Sequence, residues 1–132
     1  MNISPPELPA NLGIRGVGID IEDVDRIRKA VESHGSRFLN RILTQTEQDA
    51  CLGRDDWPQR IAARWCAKEA VAKALGGGMG WTDVEILNHP SGQPYVQLSG
   101  RAATLAGTGA VHISLTHTAT QAAAIAIFVD AR

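Results

Sequence analysis

Two carboxylates and one lysine are the residues of this sequence with the clearest potential for chemistry. Glu69 and Lys73 lie four residues apart in an alanine-rich run, a spacing that places both side chains on one face of a helix. Such a pair is most often a surface ion pair that contributes about 0.3–0.5 kcal/mol. Asp20 lies near the end of an apolar run, where an acidic side chain needs a partner or a cation unless it begins a turn. Asp20 and Glu69 together would offer two hard oxygen ligands of the kind that Mg²⁺ accepts.

A glycine-rich stretch and a histidine are weaker signals for phosphate binding. The stretch from Gly76 to Gly80 would let backbone amides approach a phosphate, but it lacks the Lys-Ser/Thr ending of a P-loop. A helix-to-strand connection with a glycine cap explains it at least equally well. His117 ends an apolar run, where an imidazole can bind phosphate or simply cap a strand. His117 has no second histidine or cysteine at zinc-ligand spacing, and no Gly-x-Ser-x-Gly elbow indicates a serine hydrolase.

The order of predicted elements indicates an α+β fold, with an antiparallel sheet packed with a long central helix and shorter helices. Predicted strands cover residues 14–21, 84–87, 95–98, 111–116 and 122–129. Predicted helices cover residues 24–34, the run from the capping box at Thr44 to Gly53, residues 58–75 and a short stretch after Ser99. We expect the first strand to be buried, and its glycines to permit close approach of another backbone or a ligand.

Composition narrows the class of protein. The 132 residues, 44% hydrophobic and 20% charged, fit one globular domain. We expect residues 1–13 to form an extended, proline-rich lead-in and residues 14–132 to form the domain. A formal net charge of -1 argues against non-specific nucleic-acid binding.

The two cysteines and the first residues of the chain indicate in which cellular compartment the protein is expected. Cys51 and Cys66 lack metal-ligand spacing, so we expect free thiols in a reducing compartment. The first residues do not resemble a secretory signal, and no apolar run is long enough to span a bilayer. We therefore expect a cytoplasmic protein without membrane contact.

Three separated motifs resemble those of the bacterial holo-acyl-carrier-protein synthase family of 4′-phosphopantetheinyl transferases. The motifs are Gly16-Val17-Gly18-Ile19-Asp20-Ile21, Arg64-Trp65-Cys66-Ala67-Lys68-Glu69-Ala70-Val71-Ala72-Lys73-Ala74-Leu75-Gly76 and Val111-His112-Ile113-Ser114-Leu115-Thr116-His117-Thr118. The resemblance covers residues 14–129, and the second motif is highly specific. It implies the α+β phosphopantetheinyl transferase fold, assembled as a homotrimer with each coenzyme A site at a subunit interface.

The resemblance also implies roles for individual residues. Asp20 and Glu69 would hold Mg²⁺, which in similar enzymes bridges the pyrophosphate of coenzyme A. Lys73 would contact the phosphates, while Arg64 and His117 would lie near the 3′-phosphate. The implied coenzyme A contacts are thus Arg64, Lys73, Gly76 and His117.

The implied reaction transfers the 4′-phosphopantetheine group from coenzyme A to a serine of an apo-acyl carrier protein and leaves 3′,5′-ADP. Positioning and charge neutralisation provide most of the catalysis in such a phosphoryl transfer, and Asp20, Glu69 and Lys73 are the expected catalytic residues. Either Glu69 or a water molecule on the metal would act as the base. The choice between a fatty-acid and a polyketide carrier stays open.

Basic residues on and after the first helix are expected to meet the acidic carrier protein. These residues are Arg26, Arg28, Lys29, Arg37 and Arg41. Because residues 22–41 also contain four acidic side chains, their net charge is only +1, and a positive patch must come from the spatial arrangement.

Two other functions are considered. A non-catalytic module could bind coenzyme A or a carrier protein, but the presence of Asp20, Glu69 and Lys73 argues against it. A Mg²⁺-dependent nucleotide pyrophosphohydrolase would need an Arg-Glu-x-x-Glu-Glu pattern that the central helix lacks. The lead-in and the glycine content of residues 76–80 depart from the family pattern.

Overall fold

An alanine-rich helix packs across a three-stranded antiparallel sheet at the centre of the fold. The computed structural model describes residues 13–131, so the expected lead-in lies outside the described residues except for Gly13. The strands are β1 (Ile14–Asp23), β2 (Val84–Asn88), β3 (Pro94–Leu98), β4 (Ala110–His117) and β5 (Gln121–Val129). The helices are α1 (Val24–His34), α2 (Ser36–Ile42), α3 (Gln45–Cys51), α4 (Trp57–Leu75) and α5 (Gly100–Ala106).

The strands form two antiparallel units. In the larger sheet β5 lies between β1 and β4, while β2 and β3 form a separate hairpin that follows a short 3₁₀ turn, Trp81–Asp83. The α+β class and the antiparallel pairing predicted from the sequence are confirmed. Pairing in the larger sheet places Glu22, Ala122 and His117 in one row across the three strands.

The close contact between α4 and β1 depends on two glycines. A Cβ atom at Gly16 would overlap the carbonyl oxygen of Ala74, and one at Gly18 would overlap the carbonyl oxygen of Ala70. The helix backbone therefore lies directly against the strand, at positions where no larger residue fits. The expectation that the glycines of this strand permit close approach of another backbone is confirmed.

The apolar side chains of β1 are not buried, contrary to the expectation of a buried strand. Val17, Ile19 and Ile21 are 55%, 67% and 62% exposed. Because side chains alternate along a strand, packing the glycine face against α4 turns these three residues to the other face of the sheet. Ile125, which is paired with Ile19, is also exposed there.

Helix α4 forms because its sequence combines a proline near its start, many alanines and a glycine at its end. Pro58 lies in the first turn, and Gly76 has a φ of 95°, the left-handed conformation of a helix cap. Many of its buried residues are small, which allows the close approach to the sheet; the buried alanines are Ala62, Ala63, Ala67, Ala70 and Ala74. Helix α2, between the first and the capping-box helix, was not predicted.

A buried ion pair connects α4 to α3 and β2. Lys68 and Glu47 have no exposed side-chain surface, and the Lys68 Nζ lies 2.7 Å from Glu47 Oε1. Lys68 also donates to the carbonyl oxygens of Trp81 and Val84 at 2.9 and 2.7 Å. Glu47 accepts from the backbone amides of Thr44 and Ile86. Every hydrogen of the ammonium group thus has an acceptor, which offsets the cost of burying the charges.

Both cysteines are buried free thiols, as expected. Burial raises the pKa of Cys51, and it raises the pKa of Cys66 to about 12, with nearby carboxylates acting in the same direction. In the part of the chain that the structure describes, no helix is long and apolar enough to cross a membrane.

Replacement of Gly18 by alanine is expected to destabilise the protein. The added methyl group would force α4 away from β1, and overpacking of this kind costs roughly 1–3 kcal/mol. Denaturant unfolding measures the effect. Gly80→Ala is the matched control, because a Cβ there has its nearest contact at 3.6 Å; equal stability losses in both variants would contradict the role assigned to the α4–β1 contact.

Candidate active site

Asp20 and Lys73 meet where β1 passes α4. The Lys73 Nζ donates to the carbonyl oxygen of Ile19 at 2.8 Å and lies 3.3 Å from Asp20 Oδ1. The Asp20 side chain is 15% exposed, and the Lys73 side chain is 54% exposed. Among the described residues, the buried Oδ2 atom of Asp20 has no hydrogen-bond partner. The sequence predicted an ion pair between Lys73 and Glu69 within α4. In the structure Lys73 instead contacts Ile19 and Asp20 on β1.

Glu69 lies one turn before Lys73 on the same face of α4. Burial raises the pKa of Glu69, the negative charges of Asp20 and Glu22 raise it further, and Lys73 acts in the opposite direction. Three carboxylates are therefore close enough to repel one another. Their mutual repulsion favours the binding of a cation or a proton.

An open cavity of about 440 Å³ lies beside these carboxylates, between β1, α1, α2 and α4. Its walls include Glu22, Arg26, His34, Phe38, Trp65 and Glu69. The Trp65 Nε1 donates to Glu22 Oε1 at 3.1 Å. The cavity thus joins an acidic wall to basic and aromatic side chains.

Glu22 and Trp65 belong to this site although the sequence reasoning assigned them no role there. Glu22 is two residues after Asp20 on β1, so both side chains project from the same face of the strand. Trp65 is four residues before Glu69, which places it on the same face of α4. These two spacings were the signals that could have identified them.

Arg64 lies on a different face of α4 from Glu69. Five helical residues correspond to a rotation of about 140°. Arg64 is buried, its Nη2 donates to Asn88 Oδ1 at 3.1 Å, and its Nε has no partner in the described part of the chain. The fold of the chain therefore does not bring Arg64 to the carboxylate cluster.

His117 and Gly76 also lie outside the carboxylate cluster. His117 is exposed at the end of β4 in the same row as Glu22, two strand spacings or roughly 10 Å away. The backbone amides of Gly76 and Gly77 both donate to the carbonyl oxygen of Ala72. The amide of Gly76 is thus occupied by the helix cap, and a role for this residue in binding coenzyme A stays a prediction.

The predicted basic patch is divided into paired and unpaired cations. Arg28 and Lys29 both form ion pairs with Asp25. Arg37 and Arg41 surround an open cavity of about 320 Å³ together with His34 and Phe38. Within residues 13–131, no salt bridge is formed by these two arginines or by Arg26.

Asp20 and Glu69 stay the predicted oxygen donors for a divalent cation. The described residues contain no group of three or more His, Cys, Asp or Glu side chains that could hold a metal ion. The Asp20 Oδ2 atom without a partner and the like charges around Glu69 nevertheless fit a hard cation that takes few protein ligands.

Comparisons with known proteins agree with this fold. Residues 16–127 match the model of the 4′-phosphopantetheinyl transferase superfamily. The holo-[acyl-carrier-protein] synthase of Desulforudis audaxviator is 48% identical over 122 residues, which cover 88% of this chain and 93% of that protein.

Two solved structures share the fold. The holo-(acyl-carrier-protein) synthase of Bacillus anthracis in complex with CoA (3′,5′-ADP) has a TM-score of 0.76 and 31% identity, covering 89% of this chain and 98% of that chain. The Helicobacter pylori enzyme in complex with coenzyme A has a TM-score of 0.76 and 29% identity, covering 85% of this chain and 98% of that chain. The chain belongs to the 4′-phosphopantetheinyl transferase superfamily.

Proposed function

We propose that this chain is a holo-[acyl-carrier-protein] synthase, which transfers 4′-phosphopantetheine from coenzyme A to a serine of an apo-acyl carrier protein and releases 3′,5′-ADP. The observation that carries the proposal is the cluster of Asp20, Glu69 and Lys73 beside an open cavity. Its support comes from relatives of that name and from related structures that hold coenzyme A. One domain over residues 14–132 carries the activity.

Asp20 and Glu69 are proposed to hold Mg²⁺, which would neutralise charge on the pyrophosphate of coenzyme A when bound. Lys73 is exposed, so its ammonium can turn from Asp20 towards the phosphates and stabilise the leaving group. Arg64 and His117 are proposed to bind the 3′-phosphate, for which Arg64 would exchange its hydrogen bond with Asn88. His117 is too far from the cluster to act on the same ligand end, which suits its assignment to the far end of coenzyme A.

Glu69 is proposed to receive the proton of the carrier serine. Burial and two neighbouring carboxylates raise the pKa of Glu69 while no cation is bound, and a bound Mg²⁺ would lower it again. The proton would therefore pass either to Glu69 directly or to a water molecule on the metal.

The carrier protein is proposed to dock beside the cavity. Arg26 lines the cavity that Glu69 lines, and Arg37 and Arg41 extend the positive charge along α2. Arg28 contributes less, since Asp25 offsets its charge. An acidic helix that follows this surface would bring its serine to the carboxylates.

The assembly is proposed to be a homotrimer that covers the exposed face of β1. Val17, Ile19, Ile21 and Ile125 form an apolar surface on the face opposite α4, and the depression on it has a volume of about 300 Å³. Exposed apolar patches of this kind mark association surfaces. Each coenzyme A site is proposed to lie at a subunit interface of this trimer.

Asp20→Asn and Glu69→Gln should reduce carrier modification by roughly 10²–10³-fold, because each removes a charge that the transition state needs. The measurement is the intact mass of an apo-acyl carrier protein after incubation with coenzyme A and Mg²⁺, with EDTA as the metal control. Asp56→Asn changes an exposed aspartate at the N-terminal end of α4, away from the cluster, and is the matched variant that should stay active. Binding of coenzyme A without any mass gain in the wild type would favour the non-catalytic module.

Arg37→Glu should raise the KM for the carrier protein roughly tenfold while the KM for coenzyme A changes by less than about twofold, because the charge reversal repels only the acidic partner. Steady-state kinetics with each substrate varied in turn measures the difference. Arg54→Glu makes the same charge change elsewhere on the surface and should leave both constants unaltered. Equal increases for the two substrates in Arg37→Glu would count against this docking surface.

Ile19→Asp should convert the assembly into monomers, because it places a charge in the proposed apolar interface. Sedimentation equilibrium of the variant and the wild type gives the masses. Leu52→Asp places the same charge on a solvent-exposed leucine away from β1 and is the control. A wild-type protein that sediments as a monomer, or an unchanged trimer in Ile19→Asp, would overturn this interface.

A further inference from the structure

The buried ammonium of Lys68 is connected to the cavity beside Glu69 through two tryptophans. Lys68 donates to the carbonyl oxygen of Trp81, which fixes the backbone at that residue. The Trp81 ring packs on Trp65 with 4.7 Å between the ring centroids. The Trp65 indole in turn donates to Glu22 and forms part of the cavity wall. A chain of contacts thus runs from the core to the acidic wall.

The rotation of α4 about its axis is also set by Lys68. Its ammonium is bound by acceptors on α3, on the 3₁₀ turn and at the start of β2, all on one side of the helix. Glu69 follows Lys68 by one residue, or about 100° around the helix. The direction in which Glu69 projects therefore depends on where Lys68 is held.

Lys73 is held by a separate set of contacts. Its Nζ is bonded to the carbonyl oxygen of Ile19 on β1. The last two turns of α4 are also pressed against Gly16 and Gly18. Loss of the Lys68 contacts should therefore disturb Trp65 and Glu22 on the cavity wall, and with them the surroundings of Glu69, more than the position of Lys73.

We propose that Lys68, acting with Glu47 through Trp81 and Trp65, is a positioning residue for Glu69 and the acidic wall of the cavity. Lys68 is fully buried and touches no substrate, so its contribution is to orient other groups. This inference rests on the proposed transferase function. It predicts that loss of the Lys68 contacts lowers the rate of transfer more than the affinity for coenzyme A.

Lys68→Met removes the three hydrogen bonds and keeps a flexible apolar side chain of similar length. We expect kcat to fall roughly 10- to 100-fold, as misplacement of catalytic groups by about 1 Å can cause, while the Kd for coenzyme A changes by less than about threefold. Circular dichroism should show loss of the exciton couplet that two indoles in contact produce. The Tm should fall by roughly 10–20 °C, since Glu47 is left buried without its partner.

Trp81→Ala separates positioning from stability. The one hydrogen bond that Lys68 makes to this residue goes to its main-chain oxygen, so that bond and the ion pair with Glu47 are retained while the ring contact with Trp65 is lost. We expect a similar loss of kcat and of the couplet, with a smaller change in Tm. Arg60→Met is the matched control, because it removes an exposed ion pair with Asp56 from the same helix; its kcat and couplet should equal those of the wild type.

The outcomes distinguish this inference from the proposed function. Wild-type transfer together with undiminished kcat in folded Lys68→Met and Trp81→Ala would overturn the positioning role alone. Wild-type kcat in each variant at assay temperatures well below its Tm would also overturn the positioning role, because the loss at higher temperature would then reflect unfolding only. Failure of the wild type to transfer would overturn both proposals. If Lys68→Met does not fold, the double variant Lys68→Met/Glu47→Gln is used in its place, because it leaves no unpaired buried charge.

Discussion

The close approach of α4 to β1 is the constraint on which the rest of the structure depends. Because Gly16 and Gly18 carry no side chains, the carbonyl oxygens of Ala70 and Ala74 lie against the strand. Asp20 follows on the same face of β1, and it therefore reaches Lys73 and the neighbourhood of Glu69. A bulkier strand would hold the helix farther away and separate these groups. Glycines that perform no chemistry thus bring the charged residues together.

Helix α4 carries a fully hydrogen-bonded buried charge on one face and an unneutralised carboxylate on another. On one face, Lys68 is enclosed, and all its hydrogen bonds are made to protein atoms. Burial lowers the pKa of Lys68, and the Glu47 carboxylate acts against that shift. On another face, Glu69 lines an open cavity, and the Asp20 carboxylate of β1 repels its charge. The ammonium of the Lys68–Glu47 pair is fully hydrogen-bonded and has no donor left for a ligand. The cluster of Glu69 and Asp20 has an excess of negative charge that a cation can neutralise.

Much of the fold and the centre of the site could be predicted from the sequence. The helical spacing of Glu69 and Lys73, the capping box at Thr44 and the glycine at position 76 are local signals, and the structure contains the corresponding helices. Helix α2 was missed because its seven residues make only two turns, too few for the spacing of Leu39 and Ile42 to establish a helical period. The direction of Val17 and Ile19 was mistaken because alternation shows that two faces differ but not which one meets the helix. The contacts of Lys68 and Arg64 depend on distant elements, which no local pattern indicates.

The buried alanines of α4 restrict which substitutions this helix can accept. At Ala62, Ala67, Ala70 and Ala74 the buried side chain is already small, so nearly every substitution adds volume where the packing leaves no space. In a core built from leucine and phenylalanine, a smaller residue leaves a cavity that neighbours can partly fill. Here the layer spacing itself would have to increase, and the whole sheet would move with it. The helix surface that contributes least to hydrophobic area is thus the one that tolerates the least change.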